Sequence, residues 1–429
     1  MNAIHNENPA SAALPPTEMR IVIVVGARPN FMKAAPILRA IREHNEKRKS
    51  PRIEGLLVHT GQHYDEAMSD RFFVDLGLPK PDVHLGIGSG SHAVQTAEIM
   101  KKFEQVLLDK KPDVVIVVGD VNSTVGCALV TAKISFGPAG SRPLVAHVEA
   151  GLRSFDRSMP EEINRIVTDH LSDLLFVTEE SGLDNLRDEG IGSDKIHFVG
   201  NTMIDSLLAC KEKAEASAIL ENLGFRSKVA ADGTRGPIAP YALLTLHRPA
   251  NVDDRDAFQN ILGGLEDLIK DRPIVFPVHP RTRQRMKDFG LDLELSPADL
   301  KGAASSRKGI ILVDPLGYLD FLCLMKHSSI VVTDSGGIQE ETTCLGIPCV
   351  TVRENTERPA TVKSGSNLVA GTKQEGIKDA IRTQMARRGA GSVPKNWDGH
   401  AAERIIDVLS GISAARNRSG LHLIPQPCV

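Results

Sequence analysis

The sequence of 429 residues lacks several features that would assign it to a specialised class of protein. Its six cysteines, at 127, 210, 323, 344, 349 and 428, form no Cys-x-x-Cys pair, which argues against a disulfide framework or a zinc ribbon. The formal net charge is only −3, so nothing suggests a nucleic-acid or anionic-membrane partner. The longest apolar runs, such as VVIVV at 114–118, are far too short to span a bilayer.

The first residues also lack a targeting signal. The segment MNAIHNENPASAALPPTEMR has no basic start followed by a sustained apolar stretch, so we interpret residues 1–19 as a loose tail. Hydrophobic residues make up 41% of the chain and charged residues 24%, which is a normal globular balance. We therefore expect a reduced, cytoplasmic protein.

Short β-branched runs alternate with longer amphipathic stretches, which indicates βαβ units and parallel sheets. Because 429 residues exceed one ordinary core, we predict two Rossmann-like α/β/α domains over 20–205 and 206–397, with their parallel sheets facing a central cleft. A helix over 398–413 and a tail over 414–429 would complete the chain. The predicted strands are 21–25, 53–60, 114–118, 144–148, 174–178 and 196–200, then 241–247, 274–279, 309–314, 329–334 and 348–352.

The loop after the first predicted strand, GARPNFMKAAP (26–36), is basic. It is neither G-x-G-x-x-G nor a Walker A loop, which disfavours nicotinamide and ATP as ligands. Gly26 allows a tight turn, Arg28 offers a guanidinium fork to a phosphate, and Lys33 lies near the start of the next helix. The alternative is that both cations are solvated at a helix cap.

Carboxylates follow two of the predicted strands. VVIVVGDVNST (114–124) has Asp120 just past one strand, and LVAHVEAGLR (144–153) has Glu149 past the next. The carboxyl ends of parallel strands line the cleft, where repulsion between two acids would raise one pKa and suit it to proton transfer. The alternative for Asp120 is a helix N-cap, a position that Asp favours.

A third acid, Glu161, stands in SFDRSMPEEINRIVTDHL (154–171). Pro160 suits the first position of a helix. Ser158 and Glu161 have the spacing of a capping box, so a structural role for Glu161 is the alternative to catalysis. The helix would carry an apolar stripe formed by Ile163, Ile166, Val167, His170 and Leu171.

Histidines follow two strands of the second half. His247, in TLHRPANVDD, has the polar neighbours Arg248 and Asn251, and a histidine at a strand end can neutralise or protonate a leaving phosphate. We interpret His279, in FPVHPRTR, as structural. The histidines of HTGQH (59–63) are four residues apart, but the glycine between them opposes a helix and no third ligand accompanies them, so we assign no metal.

The stretch VVTDSGGIQEE (331–341) ends an apolar run with a Ser-Gly-Gly at 335–337. Glycines and the N–H groups of a helix start favour phosphate. Glu341 lies just behind them, so the ligand should also carry hydroxyl groups, and a nucleoside diphosphate has both features. Arg358, in RENTERPATV, would approach the same diphosphate. Phe321 would flank the base, or would alternatively pack in the core.

These motifs closely resemble those of the non-hydrolysing UDP-N-acetylglucosamine 2-epimerases. The resemblance spans about residues 20–412 and rests on an ordered set: GARPNFMKAAP, HTGQHYD, GDVNST, HVEAGLRSFDRSMPEEINR, TLHRPAN, PVHPRT, DSGGIQEE and TERPATV. It implies a glycosyltransferase-B architecture, a UDP-sugar substrate, a homodimer, and neither cofactor nor metal.

The resemblance also implies the residues of the site. It gives catalysis to Asp120, Glu149, Glu161 and His247. It gives contacts with the nucleotide sugar to Arg28, Lys33, Asp120, Glu149, His247, Leu316, Phe321, Ser335, Gly336, Gly337, Glu341 and Arg358. The implied reaction is anti elimination of UDP to give 2-acetamidoglucal, followed by re-addition with protonation on the opposite face. The sequence leaves open which acid serves which face.

Three rival functions follow from the same motifs. A hydrolysing epimerase would release N-acetylmannosamine and UDP, but its first loop typically departs from Arg28-Pro29. A glycosyltransferase of this architecture would not need three acids. A non-catalytic nucleotide-sugar sensor would need the phosphate site alone, so retention of the acids opposes it.

The chain departs from the family pattern at several positions. Asn30 stands where many members carry Glu, and Leu316 where a polar residue is common. Gln62 and His63 are the candidate residues of an allosteric pocket, but Asp65 stands where regulated bacterial members tend to have Gln. Some relatives with this variant pattern act on diacetylated uronic sugars, so a UDP-linked diacetamido uronic acid is the alternative substrate.

Overall fold

A computed structural model describes residues 18–62, 73–136, 141–227, 235–291, 308–387 and 391–419. His63, Asp65 and most of the two predicted tails lie outside the described residues. Across the described part of the chain, no helix is both long enough and apolar enough to cross a membrane.

The first half of the chain forms a sheet of seven strands in the order β3-β2-β1-β4-β5-β6-β7. Neighbouring strands pair in parallel throughout. The strands are β1 (Glu18–Val25), β2 (Arg52–His59), β3 (Val83–His84), β4 (Val114–Val118), β5 (Leu144–Ala150), β6 (Leu174–Val177) and β7 (Ile196–Phe198).

The second half forms a separate sheet of six strands, again parallel, in the order β10-β9-β8-β11-β12-β13. Two strands were not predicted, β3 and β13, because neither lies in a sustained apolar run: β3 is Val-His and β13 is Asn-Leu-Val. The strands are β8 (Ala242–Thr245), β9 (Ile274–Pro277), β10 (Ile310–Val313), β11 (Val331–Thr333), β12 (Cys349–Thr351) and β13 (Asn367–Val369).

Helices connect the strands and cover the sheets. Those between the strands of the first sheet are α1 (Arg28–Glu46), α2 (His92–Lys110), α3 (Asn122–Lys133), α4 (Pro160–Leu171) and α5 (Glu180–Asp188), with a 3-10 turn at Ser193–Lys195. The remaining helices are α6 (Thr202–Glu215), α7 (Ile219–Asn222), α8 (Pro249–Val252), α9 (Arg255–Gly264), α10 (Glu266–Asp271), α11 (Pro280–Asp288), α12 (Tyr318–His327), α13 (Gly336–Leu345), α14 (Pro359–Lys363), α15 (Gln374–Arg387) and α16 (Ala401–Ser419).

Strand β1 shows why each half folds into three layers. Successive side chains of a strand point to opposite faces of the sheet. Ile21 and Ile23 are buried in one apolar core with Phe31 of α1, whereas Val22 and Val24 are buried in another with Phe103 of α2. A strand buried on both faces reads as a continuous apolar run. The prediction of two parallel α/β domains of glycosyltransferase-B type is therefore confirmed.

Two helices join the halves. Ile405 and Leu409 of α16 lie in the same core as Ile21 and Phe31, so the terminal helix packs on the first sheet. Helix α6 runs across position 205, where the domain boundary is expected, and contacts helices of both halves. The boundary at 205 therefore remains a prediction.

Helix α4 does not bury the whole of its predicted apolar stripe. Ile163 and Val167 are each 37% exposed. The buried face of the helix is polar instead, formed by Glu162, Arg165, Thr168 and Asp169. The sequence pattern could not show this, because the partners of those polar groups lie in other elements.

Candidate functional site

Asp120 and Glu149 emerge at the same edge of the first sheet. Val118 of β4 pairs with Val148 of β5, so Asp120, two residues after β4, and Glu149, the penultimate residue of β5, lie at neighbouring strand ends. The prediction that Glu149 follows its strand is wrong, because β5 runs on to Ala150. Glu149 has a φ of +77°, in the left-handed region that residues other than glycine rarely adopt. Such backbone strain persists only where surrounding contacts hold it, and it clusters at functional sites.

Two cations from different domains hold the Glu149 carboxylate. Lys33 of α1 lies 2.7 Å from Oε2 and Arg358 lies 2.9 Å from Oε1, and all three side chains are buried. Burial alone would raise the pKa of Glu149, but Lys33 and Arg358 outweigh it and lower the pKa. The expectation of a raised pKa is therefore wrong for Glu149. The solvated-cation alternative is wrong for Lys33.

Arg358 also binds a carboxylate that the sequence analysis missed. Its Nε lies 2.7 Å from Oε1 of Glu340, which is fully buried on α13. Burial raises the pKa of Glu340 to about 8, with Glu149 adding to the rise and Arg358 opposing it. Arg358 is buried among carboxylates rather than extended from a surface loop.

Asp120 is held by Arg165 of α4, which ion-pairs with it directly and with Glu162 at 2.7 Å. The Asp120 side chain retains 23% exposure, so it can reach a ligand. The alternative role of Asp120 as a helix cap is wrong, because Val121 is the N-cap residue of α3. Arg165 lies in the quoted motif MPEEINR, but its pairing across 45 residues is invisible in the sequence.

Glu161 lies at the exposed start of α4. The capping-box interpretation is wrong: Met159 is the N-cap residue and no side chain caps the helix. The neighbouring Glu162 is the one that accepts backbone N–H groups, from Ser154 at 3.0 Å and Phe155 at 2.8 Å.

The start of α4 approaches the second domain. The Sδ of Met159 lies 3.8 Å from a guanidinium nitrogen of Arg248. The charge of Glu161 also acts on Arg248, whose pKa burial lowers overall. The start of α4 therefore lies near the loop that carries His247, and the catalytic role of Glu161 stays a prediction.

His247 is paired with Asp334, the second residue that the sequence analysis missed. Nδ1 of His247 lies 2.7 Å from the buried Asp334 carboxylate, while the imidazole is 61% exposed. Asp334 also accepts the backbone N–H groups of His247 and Arg248 and the side-chain amide of Asn251. Burial would raise the pKa of Asp334, but these donors lower it. An orienting carboxylate of this kind fixes the histidine ring and its tautomer.

The Ser-Gly-Gly at the start of α13 is tightly packed. Ser335 is the N-cap residue of the helix. A Cβ atom on Gly336 would lie 2.7 Å from the Glu357 carboxylate, and one on Gly337 would lie 2.8 Å from Met203. A side chain at either position would displace Glu357 or Met203, so packing as well as any contact with phosphate favours glycine. Arg28, at the first turn of α1, is half-buried.

Glu341 is buried one turn further along α13 and accepts a hydrogen bond of 2.8 Å from the Tyr318 hydroxyl. Burial raises the pKa of Glu341 to about 7, although the hydrogen bond from Tyr318 lowers it. Phe321 and Leu316 are both partly buried against the apolar core of the second domain. Phe321 thus contacts the core, as its alternative interpretation required, and keeps part of its surface free.

Gln62 is buried beneath the loop that follows β4. Its Oε1 accepts hydrogen bonds from the Ser123 backbone N–H at 2.9 Å and the Ser123 hydroxyl at 2.7 Å. Through Ser123 it supports the segment next to Asp120. Its candidate allosteric partner, His63, lies outside the described residues.

One protein-family model matches most of the chain. The model of the UDP-N-acetylglucosamine 2-epimerase family matches residues 45–410. The chain belongs to the UDP-N-acetylglucosamine 2-epimerase family. It is therefore an epimerase, as the resemblance of its motifs implied.

Relatives of this epimerase cover nearly its whole length. The UDP-N-acetylglucosamine 2-epimerase of Methanocaldococcus jannaschii is 42% identical over 400 residues, which are 91% of this chain and 99% of the relative. A UDP-2,3-diacetamido-2,3-dideoxy-D-glucuronate 2-epimerase of Pseudomonas aeruginosa is 38% identical over 395 residues, with 91% and 99% covered.

A solved structure supports the same assignment of the fold. The crystal structure of the M. jannaschii UDP-GlcNAc 2-epimerase in complex with UDP-GlcNAc and UDP superposes on this epimerase with a TM-score of 0.77. The two chains are 40% identical, and the match covers 92% of this chain and 100% of that one.

Proposed function

We propose that this epimerase interconverts UDP-N-acetylglucosamine and UDP-N-acetylmannosamine by inverting C2 of the sugar. The observation that carries the proposal is the pair of carboxylates, Asp120 and Glu149, that lie at the carboxyl ends of adjacent parallel strands and are held by cations. The M. jannaschii relative, which shares 42% of its residues, carries the name of this activity.

The proposed reaction explains why several acids are needed. The C2 hydrogen is hardly acidic, so UDP departs first or in concert, and cationic character at C1 acidifies C2. Anti elimination breaks the C1–O and C2–H bonds and gives 2-acetamidoglucal and UDP. Re-addition restores the C1–O bond and delivers a proton to the opposite face of C2. Two faces require two groups that handle protons, and Asp120, Glu149 and Glu161 are the candidates.

Binding of the substrate diphosphate to the cations that hold Glu149 would raise the pKa of this carboxylate. Lys33 and Arg358 lower the pKa of Glu149 against the effect of burial. A diphosphate that draws on either cation weakens this pull, and burial then raises the Glu149 pKa toward the range useful for proton transfer. Binding of the diphosphate would thus convert a salt-bridged carboxylate into a competent base.

The remaining contacts follow the chemistry of the nucleotide. The Nδ1 of His247 pairs with Asp334, so Nε2 would contact the departing diphosphate. Arg28 would stabilise the negative charge of the same diphosphate. Ser335, Gly336 and Gly337 would bind phosphate at the start of α13. Glu341 would accept the ribose hydroxyls, while Phe321 and the backbone of Leu316 would contact the base.

Proton NMR of UDP-N-acetylglucosamine incubated with the protein in deuterium oxide tests the proposal. We expect UDP-N-acetylmannosamine to form with deuterium at C2 and without net loss of UDP, because the abstracted proton exchanges with solvent before UDP is re-added. Free N-acetylmannosamine accumulating from the start would instead indicate a hydrolysing enzyme. An unchanged spectrum from the folded protein would exclude this substrate, and tight binding without any turnover would indicate a sensor.

A related UDP-sugar is the second candidate substrate. The P. aeruginosa relative is named for a diacetamido glucuronate and is 38% identical to this chain, close to the 42% of the M. jannaschii relative. The same NMR assay with UDP-2,3-diacetamido-2,3-dideoxy-glucuronate separates the two. We expect deuterium incorporation to be faster with UDP-N-acetylglucosamine, and the reverse order would reassign the substrate.

We also propose that the chain forms a homodimer through the exposed apolar face of α4. Ile163 and Val167 are exposed there, and a face of this kind is stabilised by burial against a second copy. Replacing Val167 by Arg is expected to yield monomers by light scattering, because a charge would then enter the interface. The matched control, Val393→Arg, alters another exposed valine and should leave the mass unchanged. A monomeric wild type would contradict the proposal.

A further inference from the structure

His147 is a buried histidine with two acceptor partners. It lies on β5, two residues before Glu149, and its side chain is completely buried. Nδ1 lies 2.6 Å from Oδ1 of Asp169 on α4, and Nε2 lies 2.8 Å from the carbonyl oxygen of Gly119. None of the site chemistry described above uses this residue.

The two contacts define the protonation state of the ring. A carbonyl oxygen can only accept, and an ionised carboxylate can only accept, so both ring nitrogens must donate. A neutral imidazole has one N–H, whereas an imidazolium has two. The other arrangement, a neutral ring beside a protonated Asp169, is opposed by the further donors to that carboxylate. Arg153 lies 2.7 Å from Oδ2, and the Gly151 backbone N–H donates to it at 3.1 Å.

The charges around this imidazolium balance. His147 and Arg153 provide two positive charges, while Asp169 and Glu189 provide two negative ones, with Arg153 pairing to Glu189 at 2.7 Å. Burial would raise the pKa of Asp169, but His147 and Arg153 outweigh it and keep the pKa low. A buried charge is tolerated only where it is paired and hydrogen-bonded in this way.

The Asp169–His147 pair holds both turns that carry the candidate acids. Gly119, whose carbonyl accepts from His147, immediately precedes Asp120 and has a φ of +68°. Gly151, whose N–H donates to Asp169, follows Glu149 by two residues and has a φ of +81°. One buried carboxylate is therefore connected to each catalytic turn, directly on one side and through the imidazolium on the other.

We propose that His147, held as an imidazolium by Asp169, is a positioning residue that fixes Asp120 relative to Glu149. His147 itself touches neither substrate nor reacting atoms. The kinetic consequence rests on the function proposed above, whereas the protonation state of the ring does not. Displacing a reacting group by an ångström costs about a hundredfold in rate, so fixing these two turns matters for turnover more than for binding.

Two variants separate the contact of His147 with Asp169 from its contact with the Gly119 carbonyl. His147→Asn retains an amide near Nδ1, facing Asp169, and abandons the Gly119 carbonyl. His147→Gln extends an amide toward the Nε2 position and retains a donor to Gly119. We expect the Asn variant to lower kcat by about 10- to 100-fold with KM changed less than about threefold, and the Gln variant to recover part of kcat. A purely structural residue would not produce this split between kcat and KM or this rescue.

The matched control is His170→Asn. His170 lies one residue after Asp169 and is exposed; its Nδ1 lies 2.9 Å from the carbonyl oxygen of Ile166 and 3.9 Å from the carboxylate of Glu189, at the outer end of the cluster and away from both turns. We expect its kcat to equal that of the wild type. Melting curves of all variants show whether each is folded, and if the Asn variant is not, the Gln variant is compared with the control instead.

Nitrogen-15 NMR of the wild-type protein labelled at histidine tests the charge without any assay of activity. We expect one pair of protonated ring nitrogens at pH 7.5 that disappears in both His147 variants. A neutral tautomer at His147 would overturn the imidazolium, and an unchanged kcat in both folded variants would overturn the positioning role. If the wild type turned over neither UDP-sugar, the proposed function would be wrong. The nitrogen-15 spectrum would still show whether His147 is an imidazolium, because that measurement does not depend on activity.

Discussion

Replacing Glu149 by Gln is expected to lower the rate of deuterium incorporation at C2 by about 10²- to 10⁴-fold, the usual contribution of a positioned acid or base. The amide retains the shape of the side chain and can still contact the surrounding polar groups. It cannot accept a proton from carbon or return one. The loss should appear in kcat, because the cations that meet the diphosphate remain in the site.

The variant should fold, because the cluster can compensate for the missing charge. Glu149 helps to raise the pKa of Glu340 to about 8. Without that neighbouring negative charge the Glu340 pKa falls, so the carboxyl ionises near neutral pH and pairs fully with Arg358 at 2.7 Å. The buried guanidinium therefore keeps a counterion, and the loss of rate can be assigned to chemistry rather than to unfolding.

The rate of C2 exchange, measured by proton NMR in deuterium oxide at saturating substrate, checks this expectation. Glu180→Gln is the matched control, since Glu180 is an exposed carboxylate at the start of α5, and it should exchange as fast as the wild type. Exchange by Glu149→Gln within a few-fold of the wild type would contradict the assignment. Proton transfer would then be assigned to Asp120 and Glu161.

The fold could be predicted from the sequence because its signal is local. A strand buried on both faces is a continuous apolar run, and β4 was predicted with its observed bounds, 114–118. A polar residue directly after such a run marks the strand's carboxyl end, which is why Asp120 and Glu149 could be assigned to one edge. The strand β13 was not predicted because Asn-Leu-Val is too short an apolar stretch and has no longer apolar run around it.

The contacts of the site could not be predicted, since they join residues far apart in the chain. Arg358 and Glu149 are separated by 209 positions, and the pair became visible only when two domains were brought together. His247 and Asp334 are 87 positions apart, and they meet because β8 and β11 are neighbours in the second sheet.

The adjacent residues Glu340 and Glu341 also show that the contacts of a side chain cannot be predicted from its local sequence. The sequence IQEE contains both acids, and the prediction assigns the ligand to Glu341 and no role to Glu340. Neighbouring residues on a helix point about 100° apart, so Glu340 faces Arg358 and Glu341 faces Tyr318. A local sequence cannot show which direction leads to the cation.

Replacing Arg358 by Met is expected to lower the free energy of unfolding by about 3–5 kcal/mol, the cost of removing one partner from a buried ionic cluster. Arg358 lies between three buried carboxylates: Glu149 at 2.9 Å, Glu340 at 2.7 Å and Glu357 at 3.8 Å. Met fills most of the volume but neutralises none of this charge. Activity should fall too, since Arg358 is proposed to meet the diphosphate.

The destabilisation should grow with pH. The folded pKa of Glu340, about 8, lies above its ordinary value of 4.5, so stability from this group is complete below 4.5 and is lost as the pH rises through 8. Arg358 holds that pKa down, and without it the loss continues above pH 8. Arg358 also helps to lower the pKa of Glu149 and Glu357, against the effect of burial, and the stability from those groups is present only above their unfolded pKa. Both effects increase the difference in the free energy of unfolding between wild type and Arg358→Met as the pH increases.

Urea unfolding of wild type and Arg358→Met at pH 5, 7 and 9 measures the gap. Arg382→Met is the matched control, because Arg382 pairs with Asp379 at 3.0 Å on the exposed surface, where an ion pair contributes little. The double variant Arg358→Met with Glu340→Gln should recover part of the lost stability, since Gln carries no charge that needs a partner. A gap that does not change with pH, or one no larger than that of Arg382→Met, would mean that Arg358 does not hold the charges of this cluster together. Glu149 would then depend on Lys33 alone, and the proposed activation of Glu149 by the diphosphate would have to act through Lys33.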